Sequence, residues 1–321
     1  MRRVTVIVPT YNGARHLRET LDAIGAQTRP ADEVMVVDDR STDNSLAIAQ
    51  GHPVVTKAIP SAENVGVCAA RNKGINASTG DLIAFCDQDD LWDPTKLEAQ
   101  VRAMEVHPDA DYLFTNFVHM RDGIVEKQDK FSQARKGWWR DAASTAETGM
   151  LILHRPALPR LLEFQPAFPS TMMVRRSLLE RSGLFDEALG RERSEDLEFL
   201  LRCDDVGVFA TLSWPLVTIR KHDGNYSTDT TKTTLSQIRI LKAMTMPGSR
   251  YEEHRDLIER EIARRSIDAI DGLFAAGDMS TCLELAKQFP SVSRPGKQRA
   301  KIAIASLPTP IARRLAALLT R

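Results

Sequence analysis

The chain is poor in cysteine. Four occur in 321 residues (Cys68, Cys86, Cys203 and Cys282), far apart and in no metal-ligand spacing. That excludes a disulfide scaffold and a thiolate metal centre, and leaves reduced core thiols as the reading. Long apolar runs are missing as well: nothing approaches the ~20 apolar residues that a membrane span needs. The run that opens the sequence stops at Pro9, too short for the apolar core of a secretion signal, and reads as a strand. A cytoplasmic protein is the expectation. Net charge is absent, with 43 Lys/Arg against 43 Asp/Glu, so global electrostatics give no argument for a nucleic-acid partner. Internal repeats and low-complexity tracts are absent too, which removes solenoid architectures. One absence is local. From Ser291 to Arg321 there is no acidic residue, while seven Lys/Arg occur.

What remains is an ordinary globular composition, 42% hydrophobic and 27% charged, with a strong alternation of elements. "VTVIVPT" (4–10), "EVMVVDD" (33–39), "PVVTKAI" (53–59), "DLIAFCD" (81–87) and "ADYLFTNFVHM" (110–120) read as strands. Between them Leu17, Leu21 and Ile24 mark one helix face, 65–79 reads as a helix, and Leu97, Val101 and Met104 continue another behind Pro94. Strands alternating with helices predict an α/β fold built on a mainly parallel, doubly wound sheet. Ligands of such sheets bind beyond the carboxyl ends of the strands. Thr10-Tyr11-Asn12, Asp38-Asp39 and Asp87-Gln88-Asp89 all fall there. From 122 to 170 the pattern blurs. Short helices follow at 175–183 and 194–205, then the strand-like "VFATLSWPLVTI", and beyond about Thr231 the pattern is helical.

Two acid clusters at one sheet edge need a cation or a hydrogen-bonding ligand, because crowded carboxylates repel. If 87–89 is extended, Asp87 and Asp89 point to one side and suit a hard divalent ion that also takes phosphate oxygens. The competing reading is a solvated turn in which Asp90 or Asp93 caps the next helix. "SEDLEF" (194–199) is a good helix start in itself, with Ser194 as cap and Glu195, Asp196 and Glu198 in the first turn.

The series "VIVPTYNGARHLRETLDAIGAQT", "VVDDRSTDNS", "ENVGVCAARNKGINASTGDLIAFCDQDDLWDP", "GLFDE", "SEDLEFLLR" and "RKHDGNYS" resembles the family 2 glycosyltransferases in order and spacing, over roughly residues 3–228. The resemblance implies a GT-A type fold that binds nucleotide-diphospho-sugars. It implies a domain over 1–230, with a nucleotide-binding half (1–120) and an acceptor-side half (121–230), before a helical C-terminal region (231–321). It further implies Mg²⁺ or Mn²⁺ as cofactor and transfer with inversion, a UDP-sugar being the favoured donor and a glycan or lipid-linked glycan the acceptor. Carried over position by position, Pro9, Thr10 and Tyr11 resemble the base pocket and Asp39 the acceptor for the base. Arg71, Asp87 and Gln88 resemble further nucleotide contacts, Asp89 and His222 the metal ligands, Asp196 the general base and Glu195 its acidic neighbour. A helix start is expected to keep Asp196 accessible and, through the helix dipole, ionised at neutral pH. Two other readings stand beside this one. A sugar-nucleotide nucleotidyltransferase needs a Gly-rich basic loop after the first strand, where "PTYNGARHL" offers one Gly and one Arg. An inactive binding or scaffold module would have no use for the intact acids.

Two features lie outside the resemblance. Trp138-Trp139 reads either as a sugar-stacking platform or as packing. In "TPIARRLAALLTR", Ile311, Leu315, Leu318 and Leu319 form one apolar stripe beside basic residues. It either packs on the helical region or, with the rest of 291–321, touches an anionic membrane surface peripherally.

Overall fold

The computed structural model describes residues 2–146, 149–189, 193–222, 229–288 and 296–319. They form two compact units, Met1–Asp223 and Gly224–Arg321. In the first, the chain runs β1 (Val4–Thr10), α1 (Leu17–Gly25), β2 (Glu33–Asp38), α2 (Ser45–Gly51), β3 (Lys57–Pro60), α3 (Val67–Ala77) and β4 (Leu82–Phe85). It continues through β5 (Leu91–Trp92), α4 (Lys96–Val106), β6 (Tyr112–Arg121), β7 (Ile124–Asp129), α5 (Trp138–Ala142), β8 (Ala143–Thr145) and β9 (Met150–Leu153). Then come α6 (Leu158–Glu163), β10 (Met173–Arg175), α7 (Arg176–Ser182), α8 (Glu195–Val206) and β11 (Phe209–Lys221).

Among the described residues the strands make one eleven-stranded sheet in the order β3-β2-β1-β4-β10-β6-β11-β9-β8, with β5 on β11 and β7 on β6. β1, β2, β3 and β4 are parallel to one another. Every residue of β1, β2 and β4 is buried, which is why these strands read as unbroken apolar runs rather than alternating ones. The chain moves outward from β1 to β2 and β3, then returns to place β4 on the other side of β1. That reversal opens a crevice at the carboxyl ends of β1, β2 and β4.

Beyond β4 the sheet is mixed. β10 runs antiparallel to both β4 and β6, and the long β6–β11 ladder is parallel. Pro215 has no N–H to give, and the β11 register shifts on both sides of it. β11 then runs on to Lys221, so its far end reaches the same crevice edge. The third strand is shorter than its apolar run suggests: 53–56 turns, with Val55 N–H donating to His52 O, and pairing starts only at Lys57. Pro53 fixes φ and lacks a donor, which disfavours a ladder there.

The second unit contains α9 (Thr230–Met244), α10 (Arg255–Ala275), α11 (Met279–Gln288), α12 (Gly296–Ala305) and α13 (Thr309–Leu319). Its core is the buried faces of α10 and α11, including Ile258, Ile262, Ile270, Phe274 and Cys282. The four cysteines are all free and buried.

Candidate active site

The loop after β1 is laced to the loop after β2. Asn12 N–H donates to Ser41 Oγ, Gly13 N–H to Ser45 Oγ and Ala14 N–H to Asp43 Oδ2, while Thr42 N–H donates to Asn12 Oδ1. Tyr11 is held by its backbone alone: its N–H donates to Gln88 Oε1 at 2.9 Å and its carbonyl accepts from Gln88 Nε2 at 3.2 Å. Its ring stands free, with the residue 49% exposed, as a stacking surface must be. Gln88 is therefore spent on positioning Tyr11.

Asp39 is buried, and its two carboxylate oxygens accept from Val65 N–H (2.9 Å) and Gly66 N–H (2.8 Å). It shapes the loop leading into α3, and two of the roughly four lone-pair sites of a carboxylate remain open to a further donor. Thr10 and Asp38 are register partners on β1 and β2. Asp38 Oδ2 accepts from Ser41 N–H, whereas Asp38 Oδ1 and Thr10 Oγ1 are buried without a hydrogen-bond partner. Unpaired buried oxygens cost about 1–3 kcal/mol each, so they mark this edge as a polar pocket rather than finished core.

The acid cluster is a turn. β4 ends at Phe85, and Asp90 N–H donates back to Asp87 O at 3.2 Å. Alternation of side chains fails there, and Asp87 and Asp89 go to different partners. Asp87 Oδ1 accepts from Arg71, and Asp89 Oδ2 lies 2.9 Å from His222 Nε2. Asp90 is buried, accepting from Ser170 Oγ–H and from Arg220 N–H. Asp93, not Asp90, holds the turn before α4, through Thr95 N–H and Oγ–H. Burial, with repulsion from Asp87, pushes the Asp89 carboxyl up, and the His222 hydrogen bond opposes the shift. Burial and both neighbouring acids raise Asp90 further.

Arg71 joins the two halves of the site. It is 2% exposed on α3, with Nη2 donating to Asp87 Oδ1 (2.9 Å) and Nη1 to Glu195 Oε1 (2.7 Å). Burial opposes its charge, yet the two carboxylates outweigh burial and hold the guanidinium above its ordinary value. Its Cζ lies 5.0 Å from the centroid of Phe185, which stacks on Phe199. Asn72 fixes Phe185 through both backbone groups, which gives the "GLFDE" segment its structural purpose.

Asp196, one residue further on α8, departs from expectation. It is buried rather than accessible, 8% exposed, and burial with repulsion from Glu195 raises its pKa to about 7 against the pull of Arg71. A first-turn dipole supplies under ~1 kcal/mol when exposed, too little to offset desolvation here. Nor is Ser194 a side-chain cap: it has φ 66° and makes no capping bond. Asp196 Oδ1 accepts from Leu197 N–H, and Oδ2 from Gln165 Nε2 at 2.9 Å.

At the far end of β11, Arg220 donates to Asp89 O and Glu19, and the His16 ring lies 5.1 Å from that of His222. Burial, then Arg220 and His222, lower the His16 pKa. His16, Ser170, Arg220 and Gln165 were not singled out from the sequence. His16 and Arg220 lie inside the quoted stretches but carry no role there, Ser170 and Gln165 belong to no pattern, and the last three meet their partners across 31 to 131 positions. Trp138 is buried, packing against Trp139 and Phe164, so it forms no stacking platform.

Among the described residues no group of three or more His, Cys, Asp or Glu side chains is arranged to hold a metal. The Asp89 carboxylate fits Mg²⁺ or Mn²⁺ with phosphate and water completing the shell, whereas the His222 imidazole beside it suits the softer Mn²⁺ rather than Mg²⁺.

The model of the family described as "Glycosyl transferase family 2" matches residues 5–182, more than half of the chain. The chain belongs to that family. An uncharacterised glycosyltransferase of Nostoc sp. is 37% identical to this transferase over 132 residues, 40% of this chain and 39% of the relative. The putative teichuronic acid biosynthesis glycosyltransferase TuaG of Bacillus subtilis is 34% identical over 144 residues, 44% of this chain and 56% of the relative. The matches thus span about half of these relatives' lengths or less. Among solved structures, residues 1–349 of S. aureus TarS in complex with UDP-GlcNAc superpose with a TM-score of 0.65 at 20% identity, covering 98% of this chain and 90% of that one. The mannosyltransferase PcManGT from Pyrobaculum calidifontis, in complex with GDP-Man and Mn²⁺, gives a TM-score of 0.57 at 20% identity, with 99% and 87% covered. At such identities the likeness is one of fold, and the fold is GT-A.

Proposed function

We propose that this transferase moves a sugar, with inversion, from a nucleotide-diphospho-sugar, a UDP-sugar foremost, to a hydroxyl of a glycan that is polysaccharide or lipid-linked. The observation that carries the reading is the Arg71 bridge: one buried side chain ties the turn bearing Asp87 and Asp89 to the helix start bearing Glu195 and Asp196. Donor and acceptor chemistry are thereby held to a common geometry.

In this reading the Tyr11 ring stacks on the base and Asp39 accepts its ring N–H, with Pro9, Thr10 and Asp38 lining the pocket. Asp89 and His222 would hold Mg²⁺ or Mn²⁺, which when bound supplies Lewis-acid neutralisation of the departing diphosphate. Asp196 takes the proton of the acceptor hydroxyl, which attacks the anomeric carbon from the face opposite the diphosphate. One base and one displacement give inversion, and no second carboxylate nucleophile is required. A nucleotidyltransferase is disfavoured on structural grounds too. The N–H groups after β1 that would cradle a triphosphate are spent on Ser41, Ser45 and Asp43.

A thermal-shift panel of UDP, dTDP and GDP with and without Mn²⁺ tests the donor side, since a bound nucleotide stabilises by mass action. UDP with Mn²⁺ is expected to give the largest shift. In Asp89→Ala the Mn²⁺-dependent part of that shift should vanish while the unliganded melting temperature holds; an unchanged Mn²⁺ response would remove Asp89 from the metal site.

Gln165 is expected to act through Asp196. An amide N–H bonds the carboxylate more strongly than the neutral acid, so Gln165→Leu should move the acid limb of the kcat profile to higher pH, and Gln165→Glu further. A uniform loss of rate with an unmoved limb would reduce Gln165 to a packing residue.

A further inference from the structure

The C-terminal helix is packed inside out. Helix α13 buries Ala312 and Ala316, while Ile311, Leu318 and Leu319 are 51%, 68% and 61% exposed and Leu307 just before it is 40% exposed. Only Leu315 of the apolar stripe is half-buried. The alternative that the stripe packs on the helical unit therefore fails at its bulkiest positions. At about 100° per residue, Ile311 and Leu318 lie about 20° apart on the helix, with Arg314 about 60° to one side. A soluble helix normally turns its large apolar residues inward. This one presents them.

Charge narrows what covers that row. From Gly224 onward there are sixteen Lys/Arg and ten Asp/Glu, and no acidic residue follows Glu284. The preceding residues carry the compensating negative excess, so the neutral total hides a basic helical unit. Within it Lys301 pairs with Asp271 at 3.0 Å, and Asp278, held low first by the Thr281 N–H, is held down by Arg313 as well. Lys297, Arg299 and Arg314 are exposed. A second copy of the chain would bring like charges together around the apolar row, which disfavours self-association. Nucleic acid would use the cations and leave Ile311 and Leu318 in water. An anionic lipid surface satisfies both halves, with headgroup phosphates on the cations and the acyl boundary on the apolar row.

We propose that the Ile311–Leu318 row of α13, with Arg314 beside it, docks the chain onto anionic lipid surfaces. The helix lies in the interface and does not cross it: eleven residues are too few to span, and no described helix is long and apolar enough. Docking is reversible and salt-sensitive, because it rests on one short helix and a few charges. It stands independently of the active-site reading.

Sedimentation of the full-length protein with vesicles of phosphatidylcholine alone, or with a third phosphatidylglycerol, decides it. Binding is expected only to the anionic vesicles and should fall steeply in high salt. Arg314→Gln, which removes the cation beside the row, should weaken binding about fivefold. The double variant Ile311→Asp, Leu318→Asp should abolish it with an unchanged circular-dichroism spectrum, both positions being exposed. No binding to anionic vesicles at low salt overturns the proposal, as does undiminished binding by the double variant. So does a wild-type dimer that this variant dissociates in analytical ultracentrifugation while vesicles capture neither protein, since the row would then be a contact between copies.

Discussion

Replacing Asp196 by asparagine is expected to leave nucleotide-sugar binding nearly intact and to lower turnover by roughly 10²–10⁴-fold, the usual worth of a positioned base. Asparagine keeps the shape and can still accept from Leu197 N–H, as Asp196 Oδ1 does. It cannot take a proton. The wild-type pH profile offers a second handle. Only the ionised carboxylate is a base, and Asp196 is pushed up to about 7 by burial and by Glu195. Activity should therefore be full above that value and decline as pH falls through it, on the order of tenfold per unit well below it. Single-turnover rates from pH 5 to 9 for both proteins check this. Near-normal turnover in the variant, together with a lowered melting temperature, would mean that Asp196 serves only the start of α8.

The second large effect is on stability. Arg71→Met removes a buried cation whose two partners stay behind, and breaking such a pair from one side costs about 3–5 kcal/mol. Asp87 retains 35% side-chain exposure and can rehydrate, whereas Glu195 at 12% cannot readily do so. The lower end, about 3 kcal/mol, is therefore expected, or on the order of 10 °C in melting temperature for a domain of this size. Arg71→Lys should recover only part, since an ammonium lacks the planar fork that reaches two carboxylates at once. Arg71 also favours the ionised form of Asp196. Its loss should thus move the acid limb of the rate profile upward in the protein that remains folded. A melting temperature within a degree or two of wild type would show that the bridge contributes little to the fold.

The first 120 residues were legible because their signals are local. Val4–Thr10 and Glu33–Asp38 are buried to the last residue, and acids at their ends mark where the crevice must be. The second half was not, because β8, β9 and β10 are three or four residues long and are defined by their neighbours rather than by periodicity. Within the site, residue types were readable but their environments were not. The sequence left 87–89 open between an extended end and a solvated turn; it is a turn, but one whose Asp90 is drawn inward to Ser170, eighty positions away. Asp196 looked like a solvated helix-start acid, and the desolvation that raises its pKa comes from the packed surroundings of α8, which no local window contains.

The clamp on Tyr11 sets a rule for how this loop can vary. A Cβ on Gly13 would fall 2.2 Å from Gln88 Oε1, the atom that accepts from Tyr11 N–H. Any side chain at 13 must therefore displace the Gln88 amide and loosen its hold on the Tyr11 peptide. Because that amide ends a flexible side chain it can swing aside, so alanine at 13 costs the Tyr11 tether rather than the fold. Libraries that randomise the β1 loop should vary 13 and 88 together, because varying either alone disturbs the Tyr11 tether.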